Sequence, residues 1–186
     1  IGEPGIGKSR LVWELGRDLD ARRELITWRQ GRCLPYGEGI TLWALGEIVK
    51  AEAGIYESDS PAEAEAKIVR AVKATIGDES DQAWFVDRLA PLVGARDDVA
   101  GVAMEEAFSA WRGYLEALTT RGPLVLVFED LHWADAALLA FVEHLLDSAP
   151  RVPLLVVCTS RPELFDARPD WGGRRRNSTT WAANSR

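Results

Sequence analysis

The amino-acid sequence predicts an α/β fold in which helices cover a parallel sheet, and three features lead there. A glycine-rich loop opens directly into an amphipathic helix, two unbroken apolar runs end at polar or turn residues, and a helical pattern joins those runs. The runs are Leu124 to Phe128 and Leu154 to Cys158, bounded by Gly122-Pro123, Glu129-Asp130, Pro153 and Ser160-Arg161. Continuous rather than alternating apolarity predicts strands buried on both faces, the environment of parallel strands. Between them Ala136 to Ser148 carries Leu138, Leu139, Val142, Leu145 and Leu146 at helical spacing, with Asp135 as its N-cap. The unit reads strand, helix, strand.

The remaining elements follow in chain order. Arg10 to Arg22 sets Leu11, Leu15 and Leu19 on one helical stripe and leaves Glu14, Arg17, Asp18 and Arg22 for the wet faces. Leu25 to Trp28 reads as a short strand, and Gly31, Pro35, Gly37 and Gly39 mark a long turn. A helix is predicted over 42–53, and another after Ser60-Pro61, where a capping serine and a first-turn proline precede Glu63 and Glu65. The stretch 61–118 reads as a helical insertion, broken near Gly77-Asp78 and from Gly94 to Asp98. In its last helix Met104, Phe108, Trp111, Leu115 and Leu118 form a core-facing stripe. Residues 1–168 are expected to form one domain and 169–186 a loosely ordered tail, since the end is polar and basic with little to bury.

Composition narrows the function. Acidic residues outnumber basic ones by 29 to 22, and a net charge of -7 offers no general attraction to nucleic acid or to an anionic membrane. Neither apolar run is long enough to cross a bilayer. Cys33 and Cys158 lack CxxC spacing and nearby histidines, which fits a reducing, cytoplasmic compartment better than a zinc site or a disulfide framework. Residue 1 is isoleucine, the single methionine is Met104, and the glycine motif begins at once. The natural N-terminus is therefore expected to lie upstream.

Gly2-Glu3-Pro4-Gly5-Ile6-Gly7-Lys8-Ser9 matches G-x-x-x-x-G-K-[ST] at every fixed position, and Arg10 carries it into the helix. The glycines permit a tight turn whose N–H groups point inward at phosphate oxygens, and the helix N-terminus adds favourable partial charge. Lys8 supplies a positive charge for the β- and γ-phosphates, and the Ser9 hydroxyl suits Mg²⁺ bridging them. Leu124 to Phe128 followed by Glu129-Asp130 resembles the Walker B element of P-loop ATPases. Carboxylates at the C-terminal end of a buried strand face the crevice where open α/β sheets bind ligands. By position Glu129 takes the metal role and Asp130 the water role, although an aspartate more commonly comes first. Thr159, Ser160 and Arg161 close the next strand, and Arg161 is the best placed to neutralise a transferring phosphoryl group. His132 and Trp133 follow the acids closely enough to contact nucleotide or to pack on the next helix. His144 reads as structural.

Residues 2–11, 31–41, 128–135 and 159–164 together resemble the ATPase domain of bacterial STAND-type regulators, the AAA-like ATPases fused to adenylate or guanylate cyclase or to LuxR-type DNA-binding domains. The resemblance implies a P-loop NTPase of the ASCE type, a three-layer sandwich with strand order 5-1-4-3-2, here without its first strand and its C-terminal part. It implies a nucleotide-dependent switch that turns over ATP slowly with Mg²⁺, associates with itself on activation, and acts through a fused output domain. It maps nucleotide binding onto Gly2, Gly5, Gly7, Lys8 and Ser9, the acidic pair onto Glu129 and Asp130, and the sensor onto Arg161. Arg32 to Gly39 shares the family's wording but carries no role beyond a loop near the second strand. Truncation at both ends predicts weak or no ATP binding by the fragment alone. A non-hydrolysing ATP-binding scaffold and a small-molecule P-loop kinase remain alternatives.

Overall fold

The computed structural model describes residues 1–35, 42–97, 103–148 and 152–171. Its centre is a strand, β2 (Leu124–Glu129), whose six residues are all buried. Burial on both faces follows from its place between parallel neighbours. On one side β1 (Thr27–Arg32) pairs in parallel, with Thr27 opposite Leu124 and Arg32 opposite Glu129. On the other β3 (Leu154–Cys158) does the same, with Leu124 opposite Leu154 and Phe128 opposite Cys158. The sheet order is β1-β2-β3.

The two-residue period of β2 divides the apolar contacts between two layers. Leu124, Leu126 and Phe128 join the main core, built with the helices α2 (Trp43–Ala53), α3 (Pro61–Thr75), α4 (Glu79–Leu89), α5 (Met104–Leu118) and α6 (Ala136–Ser148). Val125 and Val127 face the opposite way and meet Val12 of α1 (Lys8–Asp20), with Leu19, Ile26, Trp28 and Val157 around them. The sheet thus lies between two helical layers, the predicted three-layer arrangement. A short helix, α7 (Glu163–Ala167), follows β3 and was not foreseen.

Local chemistry sets the helix ends. Ser60 and Glu63 close a capping box at the start of α3, with Glu63 N–H donating to Ser60 Oγ and Ser60 N–H to Glu63 Oε2. Asp135 starts α6: its Oδ1 accepts from the N–H groups of Ala137 at 2.8 Å and Leu138 at 2.9 Å. An ionic knot ties the helical insertion to the sheet. The Glu52 side chain, 10% exposed, accepts from Arg29 Nε of β1 at 2.8 Å and lies 3.5 Å from Arg121, which also donates to Ala74 O and Thr75 Oγ1.

Several expectations are corrected. The strand predicted over 25–28 runs from Thr27 to Arg32, because edge position lets Arg29, Gln30 and Arg32 occupy a strand without apolar patterning. Gly31, read as the start of a turn, is a strand residue: a Cβ there would fall 1.9 Å from the Ala44 carbonyl oxygen at the start of α2. In α1 the buried position is Val12, while Leu11 is 64% exposed, since the helix rests on the narrow valine pair of β2. β3 is only partly buried and Leu155 is exposed, because among the described residues β2 is its sole strand partner. Met104 and Leu146, at the outer ends of their helices, are also exposed. The second half of the predicted turn at 36–41, Asp98 of the predicted break, and residues 172–186 of the predicted tail lie outside the described residues.

Gly31→Ala should lower unfolding stability by about 3 kcal/mol or more, because the clash is with helix backbone rather than with a movable side chain. Gly77→Ala, where nothing lies within 4 Å of the added Cβ, should change it by less than about 0.5 kcal/mol. Urea denaturation of the two variants measures the contrast.

Candidate nucleotide-binding site

The glycine loop has the backbone its sequence requires. Gly5 and Gly7 take φ of +81° and +98°, and at neither would a Cβ meet anything within 4 Å, so glycine is required there by backbone conformation and not by crowding. α1 begins at Lys8 with no side-chain cap and no acid in its first turn, which leaves its N-terminal amides and partial positive charge to an anion. Lys8 Nζ folds back to donate to the loop carbonyls of Gly2 at 2.6 Å and Glu3 at 3.0 Å. Glu3, Pro4, Ile6 and Ser9 are exposed around the loop. Arg10 is exposed as well and lies 3.9 Å from Glu14, on the solvent side of α1.

Thr159 joins the loop region to the acid pair. Its N–H donates to Phe128 O at 2.9 Å and its carbonyl accepts from Leu131 N–H at 2.9 Å. Its hydroxyl oxygen accepts from Asp130 N–H at 3.0 Å. One residue further, the Ser160 carbonyl accepts from Gly2 N–H at 3.2 Å. The first residue of the glycine motif and the acids therefore stand at the same end of the sheet, spanned by Thr159-Ser160. Both spanning residues are buried.

The two acids differ in setting. Glu129 is 4% exposed. Asp130 is about a third exposed and takes φ of +59°, a left-handed conformation that aspartate adopts more readily than most residues. That turn leads into a 3-10 segment, Leu131–Trp133. Within it, both ring nitrogens of His132 are shielded from solvent without a hydrogen-bond partner among the described residues. Burial holds the imidazole below its ordinary pKa, and the Arg161 charge pushes the same way, with Lys8 adding to it and Asp130 and Glu163 opposing. The charges of Lys8, Asp130 and Arg161 all reach this one imidazole. His144 lies away from this end, beside Phe108 on the helical side of the core.

Two contributors to this end of the sheet escaped sequence reasoning. Arg32 Nη2 lies 3.2 Å from Glu129 Oε2, and its Nε lies 3.5 Å from Asp130 Oδ2. Gln30 Nε2 donates to Glu129 Oε2 at 3.0 Å. The signal was Gly-Arg-Cys at 31–33, but it indicates a site only once 27–32 is known to be a strand beside β2. Among the described residues no group of three or more His, Cys, Asp or Glu side chains could hold a metal ion.

A glycine-rich loop at a helix N-terminus, a lysine within it, and an acid pair closing the central strand define a P-loop nucleotide-binding α/β domain. The family model described as AAA ATPase domain matches residues 1–157. The chain belongs to that family, whose members use ATP, usually with Mg²⁺. It is also 34% identical over 172 residues to an uncharacterized protein of Rhizobium meliloti (strain 1021), covering 87% of this chain and 16% of the relative. The chain therefore spans about 16% of the length of that curated relative. No solved structure matches it. Among the described residues no helix is long and apolar enough to cross a membrane.

Cys33, directly after Arg32, is buried, and burial together with the Asp135 and Asp130 charges pushes its thiol up to about 12. It should resist alkylation at pH 8 in the native protein and react once the chain is unfolded in urea; a mass-resolved labelling time course checks this.

Proposed function

We propose that this domain binds Mg-ATP at the C-terminal end of its sheet and hydrolyses it slowly, as the nucleotide-dependent switch of a bacterial signalling or transcriptional regulator. The observation that carries the reading is the Thr159-Ser160 bridge, which sets Gly2 of the loop and the Glu129-Asp130 pair at one end of the sheet. The loop suits phosphates because Gly5 and Gly7 take the left-handed turns it needs and the α1 amides carry no side-chain cap. Lys8 exchanges its two carbonyl partners for β- and γ-phosphate oxygens. Ser9 and Glu129 would hold Mg²⁺, which would supply positive charge against the phosphates. Asp130, the more exposed acid, orients the attacking water and accepts its proton, and Arg161 balances charge on the γ-phosphate.

The switch role draws on the resemblance at 2–11, 31–41, 128–135 and 159–164, and on the length of the relative, of which this domain is a small part. Such a regulator would be cytoplasmic, in keeping with Cys33 and Cys158 lacking the spacing of a disulfide framework, would self-associate, and would act through a fused cyclase or DNA-binding domain. A second reading, binding without useful turnover, is favoured by the glutamate-first acid pair and by the ion pairs both acids already make with Arg32.

In the full-length protein Lys8→Ala should weaken ATP binding by roughly 100-fold, the loss expected for a charge-assisted phosphate contact. Unchanged affinity in a calorimetric titration would defeat the assignment. Asp130→Asn should keep ATP binding and abolish phosphate release in a single turnover; release at the wild-type rate would remove Asp130 from the water role, and no release from the wild type favours the second reading.

A further inference from the structure

Arg32 closes β1 at the position opposite Glu129, which closes β2. Parallel register therefore brings a guanidinium to the acid pair from across the strands. Its Nη2 lies 3.2 Å from Glu129 Oε2 and its Nε lies 3.5 Å from Asp130 Oδ2, so one side chain spans both carboxylates. Glu129 Oε2 also accepts from Gln30 Nε2 at 3.0 Å. That oxygen, on a side chain only 5% exposed, is therefore already engaged by one hydrogen bond and one ion pair.

The backbone beneath Arg32 is pinned. Its N–H donates to Glu47 Oε2 of α2 at 2.8 Å, and Cys33 N–H donates to Glu129 O at 2.9 Å. The side chain itself is 54% exposed and has solvent on one side. The anchor is fixed and the arm can leave; Glu129, closed in by the sheet, cannot follow it.

The geometry points to Arg32 as a resident counter-ion of the Glu129-Asp130 pair, one that competes with Mg²⁺ for these carboxylates and must swing aside when Mg-nucleotide binds. This rests on the reading above that the pair serves Mg²⁺ and water. The argument is electrostatic. A carboxylate as buried as Glu129 is costly without a cation, and among the described residues Arg32 is the side chain that forms an ion pair with it and with Asp130. A divalent ion ligated by the same oxygens would face a guanidinium about 3 Å from its own ligand, and the two like charges repel strongly at that range in a partly desolvated site. Arg32 is a positioning residue on this view: it holds the acids in place without metal and sets how much metal binding must overcome.

The test compares calorimetric affinities of the full-length protein for ATP with excess MgCl2 and for ATP in EDTA. The quantity read is the ratio of the two dissociation constants, EDTA over Mg²⁺. Arg32→Met, which keeps the stem and removes the charge, should raise this ratio about tenfold over wild type, corresponding to about 1.4 kcal/mol. Without the guanidinium the bare acids repel metal-free ATP and accept Mg²⁺ unopposed. Arg32→Lys, which keeps a charge but reaches only one acid, should raise it by a smaller factor, roughly threefold, and reads the same effect if Arg32→Met fails to fold. An unchanged ratio in the variants overturns the proposal. A lowered ratio does so too, because it means that Arg32 helps to bind Mg-nucleotide. If the wild-type protein binds ATP with no preference for Mg²⁺, the metal role of the acids falls first and the proposal falls with it.

Discussion

The arrangement depends on the three hydrogen bonds that Thr159 makes across to β2 and the turn beyond it. A threonine can do this because it brings a hydroxyl acceptor in addition to the backbone pair every residue carries. The backbone bonds extend the parallel ladder one step past the strand ends. The hydroxyl then receives Asp130 N–H where the chain turns into a left-handed residue and leaves the sheet. Buried and fully engaged, Thr159 fixes where the acids stop, and Ser160 hands the next carbonyl to the glycine loop. The loop, the acids and Arg161 share a neighbourhood because these bonds leave the strand ends little freedom.

Much of this was legible in the residues themselves. β2 is buried on both faces, so Leu124 to Phe128 are uniformly apolar, and no context was needed to read them. The capping box at Ser60, the Asp135 cap and the breaks near Gly77 and Gly94 follow from local chemistry acting within a few positions. The phosphate loop is a local device too, since its glycine backbone precedes any tertiary contact.

What stayed hidden required knowing which elements meet. Among the described residues β1 is an edge strand, able to carry Arg29, Gln30 and Arg32, so its composition resembles a loop. Gly31 is a strand residue because the start of α2 lies against it, a fact of packing between segments. The arm of Arg32 over both acids depends on a register joining residues 27–32 to 124–129. The exposure of Leu11 rather than Val12 reflects which part of α1 the valine pair can reach. In each case the deciding partner is remote in the chain.

The glycines at 31 and 46 have a mechanical consequence. α2 touches β1 backbone to backbone at Gly31, and at Gly46 an added Cβ would fall 2.7 Å from the Leu92 carbonyl oxygen in the 3-10 turn Pro91–Val93. Where a helix normally rides on a cushion of side chains that can change rotamer, here two contact points have none. The helix cannot roll about its axis at either point without driving main chain into main chain. β1, α2 and that turn therefore travel as one stiff block, and any rearrangement of the surrounding helices must slide along its borders.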